Sequence, residues 1–244
     1  MGPSVEAKDK SPDAADEPDV PRFTPEEEAA LLRESHSIKA EANALFSSQD
    51  YDGALARYDD AAASCPEHLD YERAVIRSNI AACHLKLEQW KEAIKAATQA
   101  LDGLAALEKQ APESAPAPPS QPPPARADVL RIRTKALLRR ARARSEAGGW
   151  QNLAGAEEDY RALAGMPGLG PADARTVRAQ LQALPPRTKA AQEAEMGEMW
   201  GKLRHLGDGI LKPFGLSTQN FQMVKDEKSG GYSMNFTQGG GSSS

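Results

Sequence analysis

The sequence predicts an all-α chain: a superhelix of three antiparallel helix pairs, followed by capping helices and flanked by disordered termini. Three observations lead there. First, Ala54, Tyr58, Ala61 and Pro66 stand at offsets 0, 4, 7 and 12. Ala93, Ala97 and Ala100 repeat the first three places, and Ala156, Tyr160 and Leu163 do so again. Small residues on one helix face let two helices approach closely, and an aromatic fills the gap beside them, as in arrays of roughly 34-residue helix pairs. Second, aromatics are only 5% of the 244 residues, while alanine and charged residues abound. That balance suits a helical scaffold better than a sandwich or barrel. Third, proline and glycine punctuate the helical stretches.

Residues 1–23 are acidic and contain almost no large apolar side chain. They cannot bury enough surface to offset the entropy of ordering, so a disordered N-terminus is expected. Thr24 then caps a helix. Pro25 suits its first position, and glutamates at 26–28 favour its positive end. Glu27, three residues after Thr24, completes a capping box. This helix is expected to reach Phe46. A turn at 47–50 leads to a second helix over 51–64, and Pro66 closes the pair.

The second pair starts near Tyr71, carries Val75, Ile76, Ile80, Leu85 and Leu87, and turns at Gln89-Trp90 into a helix over 91–107. Residues 109–125 then hold seven prolines, too many for a helix or a central strand, so a flexible, partly polyproline loop is expected. The third pair restarts at Ala127. Gly148-Gly149 break its first helix, residues 150–153 lengthen the turn, and the second helix covers 154–164. The repeat domain as a whole is placed at 24–187. A capping helix over 172–184 is expected to stop at Pro185-Pro186 and to cover the apolar edge of the last repeat.

Residues 188–212 form a further helix whose Met196, Met199, Trp200, Leu203, Leu206 and Ile210 make an amphipathic stripe. Packing on the last repeat is the expectation for this stripe. The competing reading makes Met196, Met199, Trp200, Leu203, Phe214, Phe221 and Phe236 a second interaction surface. Residues 213–238 alternate apolar and polar around Ser229-Gly230-Gly231, an extended or hairpin motif, and 239–244 is a flexible tail.

The repeat pattern resembles the tetratricopeptide repeat, in three copies over a little more than half of the chain. In that architecture the first helices of successive pairs line a concave groove. Lys39 and Asn43 lie four apart on the first such helix, Asn79 lies on the second, and Lys135 and Arg139 lie four apart on the third. Residues four apart share a helix face. These five positions match the two-carboxylate clamp of co-chaperone repeat domains. The resemblance implies the same ligand, the C-terminal Glu-Glu-Val-Asp of the cytosolic 70- and 90-kilodalton heat-shock chaperones. The ending from Trp200 to Phe236, WGKLRHLGDGILKPFGLSTQNFQMVKDEKSGGYSMNF, is similar to that of the tetratricopeptide repeat protein 1 family, as are the acidic start and the extra residues before repeat two. This resemblance implies an adaptor or co-chaperone, with a client or signalling protein at the C-terminal segment.

Composition bounds the rest. The net charge of −5 argues against general nucleic-acid binding, yet 126–144 carries eight Arg and Lys against the single Asp128, so the ligand of that helix should be acidic. The interleaved aromatics that stack single strands are missing from it. Cys65 and Cys83 make no disulfide framework, no window approaches a membrane span, and no secretory leader is read, so a cytoplasmic chain is expected. His36, His68, His84 and His205 have no metal-ligand spacing, and the Gly-Gly pairs lack a phosphate-loop context. No enzyme activity, cofactor or metal is expected.

Overall fold

The computed structural model describes residues 24–110, 124–212, 221–225 and 232–236. The expectations of a disordered 1–23, of a polyproline loop across 111–123, of a flexible tail at 239–244 and of a role for Phe214 lie outside the described residues. So do the side chains of Phe221 and Phe236.

Among the described residues seven helices run in the order α1 Pro25–Ser47, α2 Tyr51–Ser64, α3 Asp70–Lys86, α4 Trp90–Gln110, α5 Arg126–Ala147, α6 Trp150–Ala164 and α7 Pro171–Leu211. Each packs against its neighbours in sequence, and α3 also reaches α5. The helices form a superhelical array of three antiparallel pairs, α1–α2, α3–α4 and α5–α6, with α7 laid on the last. Outside it, β1 (Phe221–Lys225) and β2 (Tyr232–Phe236) pair antiparallel, with Phe221 opposite Phe236 and Lys225 opposite Tyr232.

Local chemistry sets the helix ends. The Thr24 hydroxyl accepts from the Glu27 amide at 3.3 Å, and the Glu27 carboxylate accepts from the Thr24 amide at 2.8 Å. These two bonds satisfy donors that no helical carbonyl can reach. The Thr24 amide and hydroxyl, both donating to the Glu27 carboxylate, hold that carboxyl below its ordinary pKa. At the end of α2, Arg73 of α3 donates to the carbonyls of Ala62 and Cys65 at 3.1 and 2.9 Å. Two orphan carbonyls are thereby paired, and the second helix pair is fixed against the first. Gly148 and Gly149 both have φ near +70° (67° and 77°), a conformation only glycine adopts freely, and they turn α5 into α6 without a longer loop. Residues 150–153, expected in the turn, are therefore the first turn of α6. Glu195 of α7 accepts from the Trp150 amide at 2.6 Å and caps that end from outside.

The repeated positions form the core. Ala54, Ala61, Ala97, Ala100, Ala156 and Leu163 are fully buried, and Tyr58 and Tyr160 nearly so. One cluster joins the first two pairs through Ala42, Tyr58, Ile76 and Ala97. A second bridges α3, α4 and α5 through Ala74, Leu104, Val129 and Ile132. A third seals α5 and α6 under α7 through Leu137, Tyr160, Leu163, Val177 and Leu184. Each buried side chain of leucine size contributes roughly 1.5–3 kcal/mol. Gly155 belongs to this end too: the Arg144 guanidinium lies across it and donates to its carbonyl at 3.0 Å, and a Cβ there would stand 3.0 Å from that group.

Two expectations at the C-terminal end are corrected. The capping helix does not stop at Pro185-Pro186, because α7 runs unbroken from 171 to 211 with both prolines inside. Each proline removes one backbone donor, but the residues beside them anchor the helix. Leu184 is fully buried, Arg187 donates to the Ser145 carbonyl at 3.0 Å, and Thr188 bonds both Glu157 and the Leu184 carbonyl. The prolines themselves face solvent, where water can take the freed carbonyls. Nor does the stripe after Glu195 pack on the last repeat: from Met196 to Ile210 its six large apolar residues are 38–63% exposed. Helix length explains this. At 1.5 Å per residue, 41 residues extend roughly 60 Å, whereas the 15 residues of α6 extend roughly 22 Å.

Candidate functional site

The first helices of the pairs, α1, α3 and α5, stand side by side. Direct bonds tie them together. On α1, the Lys39 ammonium lies 3.3 Å from the Glu72 carboxylate of α3, and His36 contacts the same carboxylate at 2.9 Å. On α5, Arg139 donates to both the carbonyl and the hydroxyl of Ser78 on α3, at 2.6 Å each. Between these ties, the Tyr58 hydroxyl comes up from α2 and donates to the Asn43 side-chain oxygen at 2.6 Å. That leaves the Asn43 amide hydrogens to donate outward.

Helical periodicity aligns the walls. Glu72, Asn79 and Lys86 are seven apart on α3, and Lys135, Arg139 and Arg142 follow one face of α5. Lys39, Asn43, Asn79, Lys135 and Arg139 thus occupy the three helices that meet along one side of the solenoid, but in different states. Asn43 and Lys135 are exposed. Asn79 is half-buried. Lys39 is mostly buried and paired, and Arg139 is held against α3. Among the described residues Lys135 has no carboxylate partner.

Burial lowers the pKa of Lys135, and the nearby Arg139 and Arg131 charges lower it further. Burial likewise lowers that of Arg139, opposed by Tyr58 and Cys83. An approaching anion relieves this crowding of like charges, so α5 is predisposed to an acidic ligand. Beneath, burial pushes the Tyr58 phenol up to about 12, with Cys83 adding to the rise and Arg139 and Asn79 opposing it. The site floor is therefore a neutral phenol at ordinary pH.

The side continues into a cleft of about 350 Å³ lined by Phe46 of α1, Ala82, Leu85 and Lys86 of α3, Leu138, Arg139 and Arg142 of α5, Tyr160 of α6, and Asp173 and Thr176 of α7. Here α7 supplies a fourth wall, and apolar surface lies next to the polar donors. Glu72, Ser78 and this α7 wall were not singled out from sequence. The seven-residue step from Glu72 to Asn79 was the available signal for the first of them.

Much of the positive charge between 126 and 144 is answered locally. Arg140 and Arg144 converge on Asp159 at 2.7 and 2.9 Å, Arg133 pairs with Glu108 at 2.8 Å, and Arg131 with Asp128 at 2.9 Å. A broad polyanion surface is not what this helix presents. Cys65 and Cys83 are free and buried, and burial raises both thiols, Cys83 to about 11. No three His, Cys, Asp or Glu side chains among the described residues gather as a metal site would need. No helix of the described residues is long and apolar enough to cross a membrane.

No family model matches the chain. Among the solved structures similar to it are two tetratricopeptide-repeat domains. The first TPR of Spaghetti (RPAP3), bound to the HSP90 peptide SRMEEVD, is 20% identical with a TM-score of 0.44, over 62% of this chain and 96% of that one. The NMR structure of the first TPR domain of the human RPAP3 protein is also 20% identical with a TM-score of 0.44, over 68% of this chain and 98% of that one.

Proposed function

We propose that this chain is a non-catalytic, cytoplasmic co-chaperone adaptor. Its groove binds the acidic C-terminal Glu-Glu-Val-Asp tail of cytosolic heat-shock 70 and 90 chaperones through a two-carboxylate clamp of Lys39, Asn43, Asn79, Lys135 and Arg139. One observation supports the reading: Lys135 is exposed, has no carboxylate partner among the described residues, and stands one helical turn from Arg139, which is bonded to α3. In this reading Lys39, Asn43 and Asn79 hold the terminal carboxylate and the last aspartate side chain. Lys135 and Arg139 reach upstream acidic and backbone oxygens. Charge-assisted bonds contribute roughly 1.5–3 kcal/mol each, and ordering a disordered tail offsets much of that. The net expectation is micromolar affinity, about −7 to −8 kcal/mol.

The test is fluorescence anisotropy with a labelled peptide ending in Met-Glu-Glu-Val-Asp, beside its C-terminally amidated form and the Lys135→Ala protein, at two salt concentrations. Micromolar binding that is lost on amidation supports the clamp. Equal binding of the amidated peptide sinks it.

A second reading rests on the exposed stripe of α7: a general scaffold whose main partner, a client or signalling protein, binds the segment 200–236. Deleting 200–244 separates the two. Tail binding survives the deletion under the first reading, and partner recovery collapses under the second.

A further inference from the structure

Along the exposed half of α7, Met196, Met199, Leu203, Leu206 and Ile210 follow spacings of 3, 4, 3 and 4. That is a strict heptad seam, narrower than the stripe of a helix packed on a globular core. Nothing else in the described chain covers it, and its residues are at least 38% exposed. The same stretch contains Gly197, Gly201, Gly207 and Gly209. Each costs a solvent-exposed helix about 1 kcal/mol relative to alanine. A Cβ at 197, 201 or 209 would meet no neighbouring atom, so no close packing within the chain explains these glycines. A helix of such composition holds its form best when the seam is covered.

The charges say by what. Glu193, Glu195 and Glu198 precede Trp200, whereas Lys202, Arg204, His205 and Lys212 follow it, with Asp208 the one acidic residue among them. Two such helices side by side in parallel would set acid against acid and base against base. Turned antiparallel, the acidic half of each lies along the basic half of the other.

We propose that residues 196–210 of α7 form a short antiparallel coiled coil with the same segment of a second copy of this chain. In the register that covers most of the seam, Met199 layers with the partner's Leu203 and Met196 with the partner's Leu206, with the two-fold axis at the level of Gly201. The seam is about 21 Å long, so the pair is weak and concentration-dependent. The proposal stands independently of the groove reading.

Sedimentation equilibrium of the full chain tests it. From low micromolar to near-millimolar concentration, the weight-average mass is expected to rise from 26.2 kDa towards twice that value. Leu203→Asp, at an exposed position, is expected to stay monomeric while keeping its circular dichroism. Orientation is read from a charge-swapped chain carrying Glu193→Lys, Glu198→Lys, Lys202→Glu and Arg204→Glu. An antiparallel pair predicts that the swapped chain self-associates as the wild type does but pairs poorly with it. Preferential pairing of swapped with wild-type chain means a parallel coil and overturns the proposal. So does a wild type that is monomeric throughout, with 196–210 protected by its own residues 213–236 or by nothing. Dimers that persist in Leu203→Asp overturn it too, since the seam would not be the interface.

Discussion

Arg139 of α5 and Ser78 of α3 are joined twice: one guanidinium nitrogen donates to both the backbone carbonyl and the hydroxyl of the serine, at 2.6 Å each. A single arginine thus lines the cleft and also fastens the third helix pair to the second. Arg139→Ala is expected to lose binding of the tail peptide and also to cost about 2–3 kcal/mol of stability, since a charged bond is lost and buried acceptors are left behind. Lys135→Ala, at an exposed and unpaired position, should lose affinity while stability moves by less than about 0.5 kcal/mol. Urea unfolding set beside peptide titration distinguishes the two. If both variants unfold at the wild-type midpoint, Arg139 has no fastening role.

Glu72 competes with any acidic ligand for Lys39. The two side chains are both about four-fifths buried, at 18% and 19% exposure, and lie 3.3 Å apart. A bound carboxylate must displace Glu72 or sit beside it. Glu72→Gln removes the competitor and a like charge at once, and should tighten tail binding by about 1 kcal/mol, roughly fivefold. Anisotropy titration of the variant decides. Weaker binding would mean that Glu72 positions Lys39 instead of occupying it.

Asp159 takes both Arg140 and Arg144 and is itself only 4% exposed. Asp159→Asn leaves two arginines without their counter-charge against α6. A loss of about 3–5 kcal/mol is expected, concentrated in the third pair and α7. Hydrogen exchange resolves whether protection falls there first. Uniform loss along the chain would contradict the local account.

Alkaline pH should weaken the fold in two steps. Burial raises Cys83 to about 11 and Tyr58 to about 12, from ordinary values of 9 and 10. A raised pKa means that the folded state holds its proton longer. The associated stability is fully present below the unfolded pKa and is lost as pH climbs through the folded one. Stability is therefore expected to fall from pH 9 to about 11 through Cys83 and from pH 10 to about 12 through Tyr58. Denaturation midpoints against pH, compared with Cys83→Ala and Tyr58→Phe, assign each step. Both thiols should also resist a thiol reagent until the chain unfolds.

The architecture was largely legible because its information is local. Ala54, Tyr58 and Ala61 announce one close helix contact, Ala156, Tyr160 and Leu163 another, and Thr24 with Glu27 states where α1 begins. The five candidate donors were also legible as residue types at fixed helical steps. Their states were not. That Lys39 is held by Glu72, or that Arg139 turns onto Ser78, depends on how far α1, α3 and α5 stand from one another, and no spacing within one helix encodes that distance. Pro185-Pro186 misled for the same reason. The local cost of proline is real, but Leu184, Arg187 and Thr188 anchor the helix on α5 and α6 from outside the local sequence.

Each helix of the array leans mainly on the one before and the one after. Such a molecule need not melt all at once, because its ends can open while its middle stays folded. A peptide lying across α1, α3 and α5 would touch all three pairs together and bind only when all are formed. The ligand would then act as a splint, turning a graded opening from the ends into a single transition.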